Sequence, residues 1–265
     1  MGKLLKFEFR KLFRQKSFYI CGAILVGLII LSAFTMNMLM LMEQSMTAEG
    51  MSVEMIADTS IFSGLFMLIT SLAGSDFSIV LAVFISLFVC ADYTNGTLKN
   101  IIARGYGRIS VYASKYIVSL IGASILTVVC WLAGFLSGAA FWGFGSFTAD
   151  ASAMKYVSVL LLQLLGVFAY TSEFFFISAL LKKTGGAIAV GIIAPLVITM
   201  IIGMADALLK KAAFVVSDYW LDTCFASLST IGVDAEIMTR SLICFSIYAV
   251  VFAAGGHLIG RRTQV

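Results

Sequence analysis

The chain has 265 residues and a net charge of +4, with 61% hydrophobic and only 12% charged residues. A soluble domain carries about 25% charged residues and leaves roughly a quarter of its unfolded surface in water, so this composition excludes a water-soluble fold. One proline and 22 phenylalanines suit long helices in hydrocarbon, not the alternating strands of a membrane barrel.

Residues 1–16, MGKLLKFEFRKLFRQK, predict an amphipathic helix at a membrane surface. At 100° per residue, Leu5, Phe9, Leu12 and Phe13 share one apolar stripe, and Lys3, Lys6, Arg10 and Arg14 gather beside it. Phe7 falls off the stripe. Apolar burial plus attraction to anionic lipid would hold such a segment in the interface; a plain positive anchor is the simpler alternative.

A bilayer core about 30 Å thick needs roughly 20 apolar residues per helix. Residues 17–42 carry no charge and predict a first spanning helix, too long for a signal-peptide core and followed by no small-residue cleavage site. Residues 59–91 are interrupted only by Asp76; the second helix is expected over 70–91, with 61–69 as an extension. The uncharged run 116–149 predicts a third helix over 116–142. The fourth, 156–181, contains Glu173. The fifth and sixth are expected over 184–205 and 241–260. Residues 206–239 are half apolar but too charged to span. The expected fold is therefore an all-α polytopic membrane protein with about six spanning helices behind an amphipathic amino-terminal segment, as a single domain over 17–265.

Lysine and arginine placement sets the orientation. With the amino terminus inside, 14 of the 18 basic residues lie on inner segments, and only Lys155, Lys210, Lys211 and Arg240 lie outside. Both termini are thus expected in the cytoplasm (N-in, C-in) of a multi-pass plasma-membrane protein. The +4 charge is accounted for by topology, and no basic-aromatic module suggests a nucleic-acid partner.

The inner link after the second helix, residues 92–115, is the most informative segment. Asn95 or Thr97 is positioned to cap a short helix, and Gly105 to end it in a left-handed conformation. Between them Leu98, Ile101 and Ile102 share a face, with Lys99 and Arg104 nearby. Such a short helix is expected to bury that face against lipid or a partner protein.

The pattern D/E-x-x-x-G-T-x-K-N-x-x-x-x-G-x-x-R-x-x-x-x-x-S-K is met here by Asp92, Gly96, Thr97, Lys99, Asn100, Gly105, Arg108, Ser114 and Lys115. With the basic amphipathic start and six helices, it resembles the type-2 ABC exporter permeases. The topological likeness covers the whole chain; the residue-level likeness covers about 25 positions. The resemblance implies that the amino-terminal helix is an elbow and that residues 97–104 form a coupling helix docking on a nucleotide-binding subunit. Thr97, Leu98, Lys99, Asn100, Ile101, Ile102 and Arg104 would make that contact, flanked by Asp92, Gly96, Gly105, Arg108 and Lys115. It further implies short outer helices within 206–239 that dip toward the membrane, and pairing with a second permease copy or a homologous permease.

No phosphate-loop pattern G-x-x-x-x-G-K-[ST] occurs. The chain is expected to hold no cofactor and to be no enzyme itself, ATP and Mg residing in the partner. The substrate remains open among amphipathic peptides, lipids, drugs and ions. Alternatives are a non-transporting scaffold or immunity subunit, or a lipid-modifying membrane enzyme. The last lacks a cluster of catalytic groups at one depth.

Asp76 and Glu173 are the carboxylates inside predicted spans. Each costs about 2.5–3.5 kcal/mol at a helix centre, so each is expected to face a translocation path, an interface or a bonding neighbour. Met36, Met38, Met40, Met42 and Met46 alternate near the end of the first span. Thioethers bind Cu(I), but that spacing cannot converge on one ion, and apolar filling is the expected role. His257 is expected to pack at the interface. Cys21, Cys90, Cys130 and Cys244 lie in apolar runs and Cys224 in a loop, with no disulfide or metal-ligand spacing.

Overall fold

The computed structural model describes residues 2–48, 62–145, 153–208, 215–230 and 233–262. It is helical throughout, with no strand among the described residues. In hydrocarbon every backbone N–H and C=O must be paired within the segment, and only the helix does this for single spans. The elements are α1 (Gly2–Arg14), α2 (Lys16–Ala48), α3 (Gly64–Thr70), α4 (Ser75–Thr94), α5 (Thr97–Ala103), α6 (Arg108–Trp142), α7 (Ala153–Leu181), α8 (Thr184–Leu208), a 3-10 turn (Ser217–Tyr219), α9 (Leu221–Ser227) and α10 (Ala235–Arg262). Six of them, α2, α4, α6, α7, α8 and α10, are long and apolar enough to cross a membrane.

Two features differ from expectation. The second hydrophobic run is two helices: α3 ends at Thr70, the chain turns through 71–74, and α4 begins at Ser75. Ser63 caps α3, its hydroxyl accepting from the Phe66 N–H at 3.2 Å, and the extended Gly74 (φ −76°, ψ 148°) precedes α4. α3 lies directly on α6: a Cβ on Gly134 would sit 2.5 Å from the Met67 carbonyl oxygen, and one on Gly138 2.7 Å from Met67 Cβ. Glycine is required there by close approach. Second, α6 begins at Arg108, before its apolar run, and α10 at Ala235. Within 206–239, where the resemblance implies short outer helices, a 3-10 turn and α9 fold inward, burying Leu221, Cys224, Phe225 and Leu228. Residues 209–214 and 231–232 lie outside the described set.

α7 is the central element, packed against α4, α6, α8 and α10. The core is aromatic: Phe84, Phe88, Phe174, Phe175 and Phe245 are fully buried. The outward faces are also apolar. α8 exposes Ile193, Leu196, Met200 and Met204, and α10 exposes Ile247, Val250 and Val251. A surface this greasy is stable against lipid and unstable against water. The chain is a multi-pass α-helical membrane protein.

Two polar ties cross the interior. The fully buried Gln163 of α7 accepts from Trp131 Nε1–H at 3.1 Å and donates to the Ile69 carbonyl at 2.8 Å, joining α7 to α6 and α3. Tyr116 and Ser172 share a hydroxyl hydrogen bond of 2.7 Å between α6 and α7.

Candidate coupling site and buried ion cluster

At one end of the bundle the chain leaves α4, forms α5, and enters α6 within fourteen residues, 95–108. Asn95 closes α4, its N–H bonding the Ala91 carbonyl at 3.0 Å. Gly96 follows at φ +65° and Gly105 at φ +86°. The sequence expected Asn95 or Thr97 to cap α5; Thr97 is the first helical residue, and the left-handed Gly96 precedes it. Gly105 does follow α5 in the left-handed region, where a side chain is strained.

α5 finds cover for part of its apolar face within the chain. Ile101 is buried with Leu4 of α1 and Val111 of α6, and Leu98 and Tyr106 pack around them. The expectation of lipid or a partner protein against this face is corrected for Ile101 and Leu98, because α1 lies close enough to cover them. The side chains of Lys99, Asn100 and Ile102 lie outside the described set. Arg104 and Arg108 are exposed. Between α1 and α5 runs a groove of ≈ 290 Å³ lined by Lys3, Leu4, Phe7, Thr97, Ile101, Arg104 and Tyr106.

The buried face of α1 is Leu4, Glu8 and Leu12; of the expected stripe Leu5, Phe9, Leu12 and Phe13, Leu12 is buried as expected, and the face is centred toward Leu4 and Glu8. Phe13 is exposed, while Leu5 and Phe9 pack partly against the core. Asp92 at the end of α4 pairs with Lys11 of α1 and with Lys115 of α6. Glu8 (0% exposed), Asp92 (2%) and Lys115 (4%) are out of water. Among the described residues the Glu8 carboxylate has no hydrogen-bond partner, but its charge acts on both Lys11 and Lys115. Burial lowers the Lys11 ammonium's pKa below its usual value, and the Glu8 charge opposes that shift. Both ammonium groups also lie over the Phe88 ring, 5.5 and 5.6 Å from its centroid. Two acids and two lysines from α1, α4 and α6 thus form a neutral, buried knot beside α5.

Sequence reading held Asp92 and Lys115 as motif positions and Lys11 as a topological charge. It missed Glu8, although Glu8 is the sole acid among residues 1–16. It also missed Asp222, whose carboxylate accepts from the Tyr170 hydroxyl and, at 3.0 Å, from Trp220 Nε1–H.

Asp76 and Glu173 are not brought together. Asp76 is exposed in the first turn of α4, where the helix dipole favours an acid. Glu173 is 7% exposed within α7, near the charge of Asp222. Among the described side chains the methionines do not converge: Met40 is buried, its sulfur facing Trp142 Nε1 at 3.0 Å, and Met38 and Met42 are exposed; the Met46 side chain lies outside the described set. All five cysteines are free and buried.

Six hydrophobic helices, with a short helix slung between two of them, make up a multi-pass membrane domain. The chain belongs to the ABC-2 family transporter proteins, whose family model matches residues 4–206. It is a permease-type subunit. No curated protein matches the chain.

Proposed function

We propose that this permease works with a separate ATP-hydrolysing subunit and exports its substrate across the plasma membrane, α1 and α5 facing the cytoplasm. The observation that supports this best is the position of α5. It is the direct covalent link between α4 and α6, and the ion knot clamps both helices and α1 immediately behind it. A push on α5 therefore loads three helices together. The exposed residues Arg104 and Phe7, with Lys3 at the rim of the groove, offer a cationic and apolar contact. The distribution of 14 of 18 basic residues supports the cytoplasmic placement. Six spans also suit half of a transmembrane unit, completed by a second copy or a homologous permease.

In this reading Arg104 touches the ATPase, and Ile101 transmits to α1. The test is capture of a phosphate-loop ATPase on the purified permease, with transport measured in proteoliposomes. Arg104→Glu should reduce capture at least tenfold while leaving the permease folded. Ile101→Asp should separate α5 from α1 and abolish ATP-driven transport. Transport by this chain alone, or full capture and transport by both variants, would overturn the reading.

A further inference from the structure

A cavity of ≈ 340 Å³ opens between α4, α7, α8 and α9, away from α5 and the ion knot. It falls within the size range of small-molecule sites. Its walls are largely apolar, with Leu72, Phe77, Leu196 and Phe225 among them. Ala226, Leu196 and Met200, all exposed, mark the side on which it opens. Tyr170 lies eleven residues from the α7 end at Leu181, roughly 16 Å along the helix, so the cavity sits at the depth of the hydrocarbon.

Among the described residues Asp222 is the one charged side chain lining this cavity. Asp222 lines it and is held by two neutral donors, the Tyr170 hydroxyl and the Trp220 N–H. Trp220 Nε1 is also 3.0 Å from Thr199 Oγ1, another lining group. Pro195 has no N–H, so the usual helical donor to the Gly191 carbonyl is missing at the same wall. Among the described residues no lysine or arginine lines the cavity and none forms an ion pair with Asp222; Arg240 pairs with Asp218 instead, at 2.8 Å. Among the described residues only neutral donors hold this carboxylate, which is costly at this depth, and a positively charged guest would lower that cost.

We propose that this cavity binds a lipophilic cation, with apolar groups against Leu72, Phe77 and Phe225 and the positive charge beside the Asp222 carboxylate. An aromatic wall adds to the preference, because Phe and Tyr faces attract cations. An anionic molecule is repelled by the same carboxylate. As a binding site the cavity stands independently of any ATPase. As the loading point of a transported cation, it rests on the permease reading above.

The test is equilibrium dialysis of benzyltrimethylammonium against the full chain in phosphatidylcholine nanodiscs, with protein-free discs as background and no ATPase present. Saturable binding is expected. Asp222→Asn should weaken it at least tenfold, because the amide keeps the size but not the charge. Ala226→Trp, at an exposed position on the lip, should block it as strongly without disturbing the core. Neopentylbenzene, the neutral isostere, should bind wild type and Asp222→Asn alike. Uptake no different from empty discs, or binding unchanged in both variants, would overturn the proposal. Either result would leave the coupling reading untouched, since Arg104→Glu and Ile101→Asp are read on ATPase capture and transport.

Discussion

Asp92 is the residue on which the α5 end of the molecule turns. It faces two lysines, one from the amino-terminal helix and one 23 positions ahead in α6. Removing one member of a buried ion cluster leaves the others uncompensated, a loss of about 3–5 kcal/mol. Asp92→Asn is therefore expected to lower the thermal unfolding midpoint sharply, measured by fluorescence in detergent. The double variant Asp92→Leu with Lys115→Met should recover much of that loss, because apolar replacement of both partners is tolerated far better than removal of one. An Asp92→Asn protein as stable as wild type would show that the lysines find water. Of this cluster the sequence made Asp92 and Lys115 visible as motif positions. Their meeting with Lys11, 81 residues away, and with Glu8 was not visible, because helical periodicity treats an acid as a solvent-facing residue and takes no account of charges brought in by tertiary packing.

At the scale of elements, the long spans were legible because an uncharged run of 20 residues has one stable solution in lipid. The interruption between α3 and α4 was not, since serine, alanine and glycine are ordinary within membrane helices, and only the contact with α6 decides that 71–74 turns. That contact is demanding. Gly134→Val would drive a side chain into the Met67 carbonyl, and overpacking of this kind costs about 1–3 kcal/mol. A lower unfolding midpoint for Gly134→Val, with little change for a valine at the open position of Gly27, is the expected pair of results. The same logic applies where α1 meets α5. Leu4→Asp places a charge in the cluster of Leu4, Ile101 and Val111, and hydrogen exchange at residues 97–103 should rise as α5 loses its support. Equal protection in the variant would mean that α1 does not brace α5. The sequence had correctly marked α5 as a short helix with an apolar face, but could not show that the chain's own amino-terminal helix covers that face.

For the whole molecule, the order of spans was readable from charge alone, while the inward fold of α9 depended on packing of Phe225 against Phe245 and Gly166. Sidedness follows from the proposed orientation and is open to direct measurement. Met154 and Arg104 are exposed near opposite ends of the bundle, and the native cysteines are all buried, giving a low background. Met154→Cys should react with an impermeant maleimide in intact cells, and Arg104→Cys only after permeabilisation. The reverse pattern would place α5 outside the cell and remove its proposed role.

The interruption at 71–74 also limits how far a disturbance travels. α3 is wedged onto Gly134 and Gly138 and tethered through Gln163, whereas α4 starts afresh beyond an extended glycine. A rotation delivered at residue 94 can run the length of α4 and be absorbed in four residues of coil. On the coupling proposal above, α3 and the last turns of α6 would then stay in place while α4 moves.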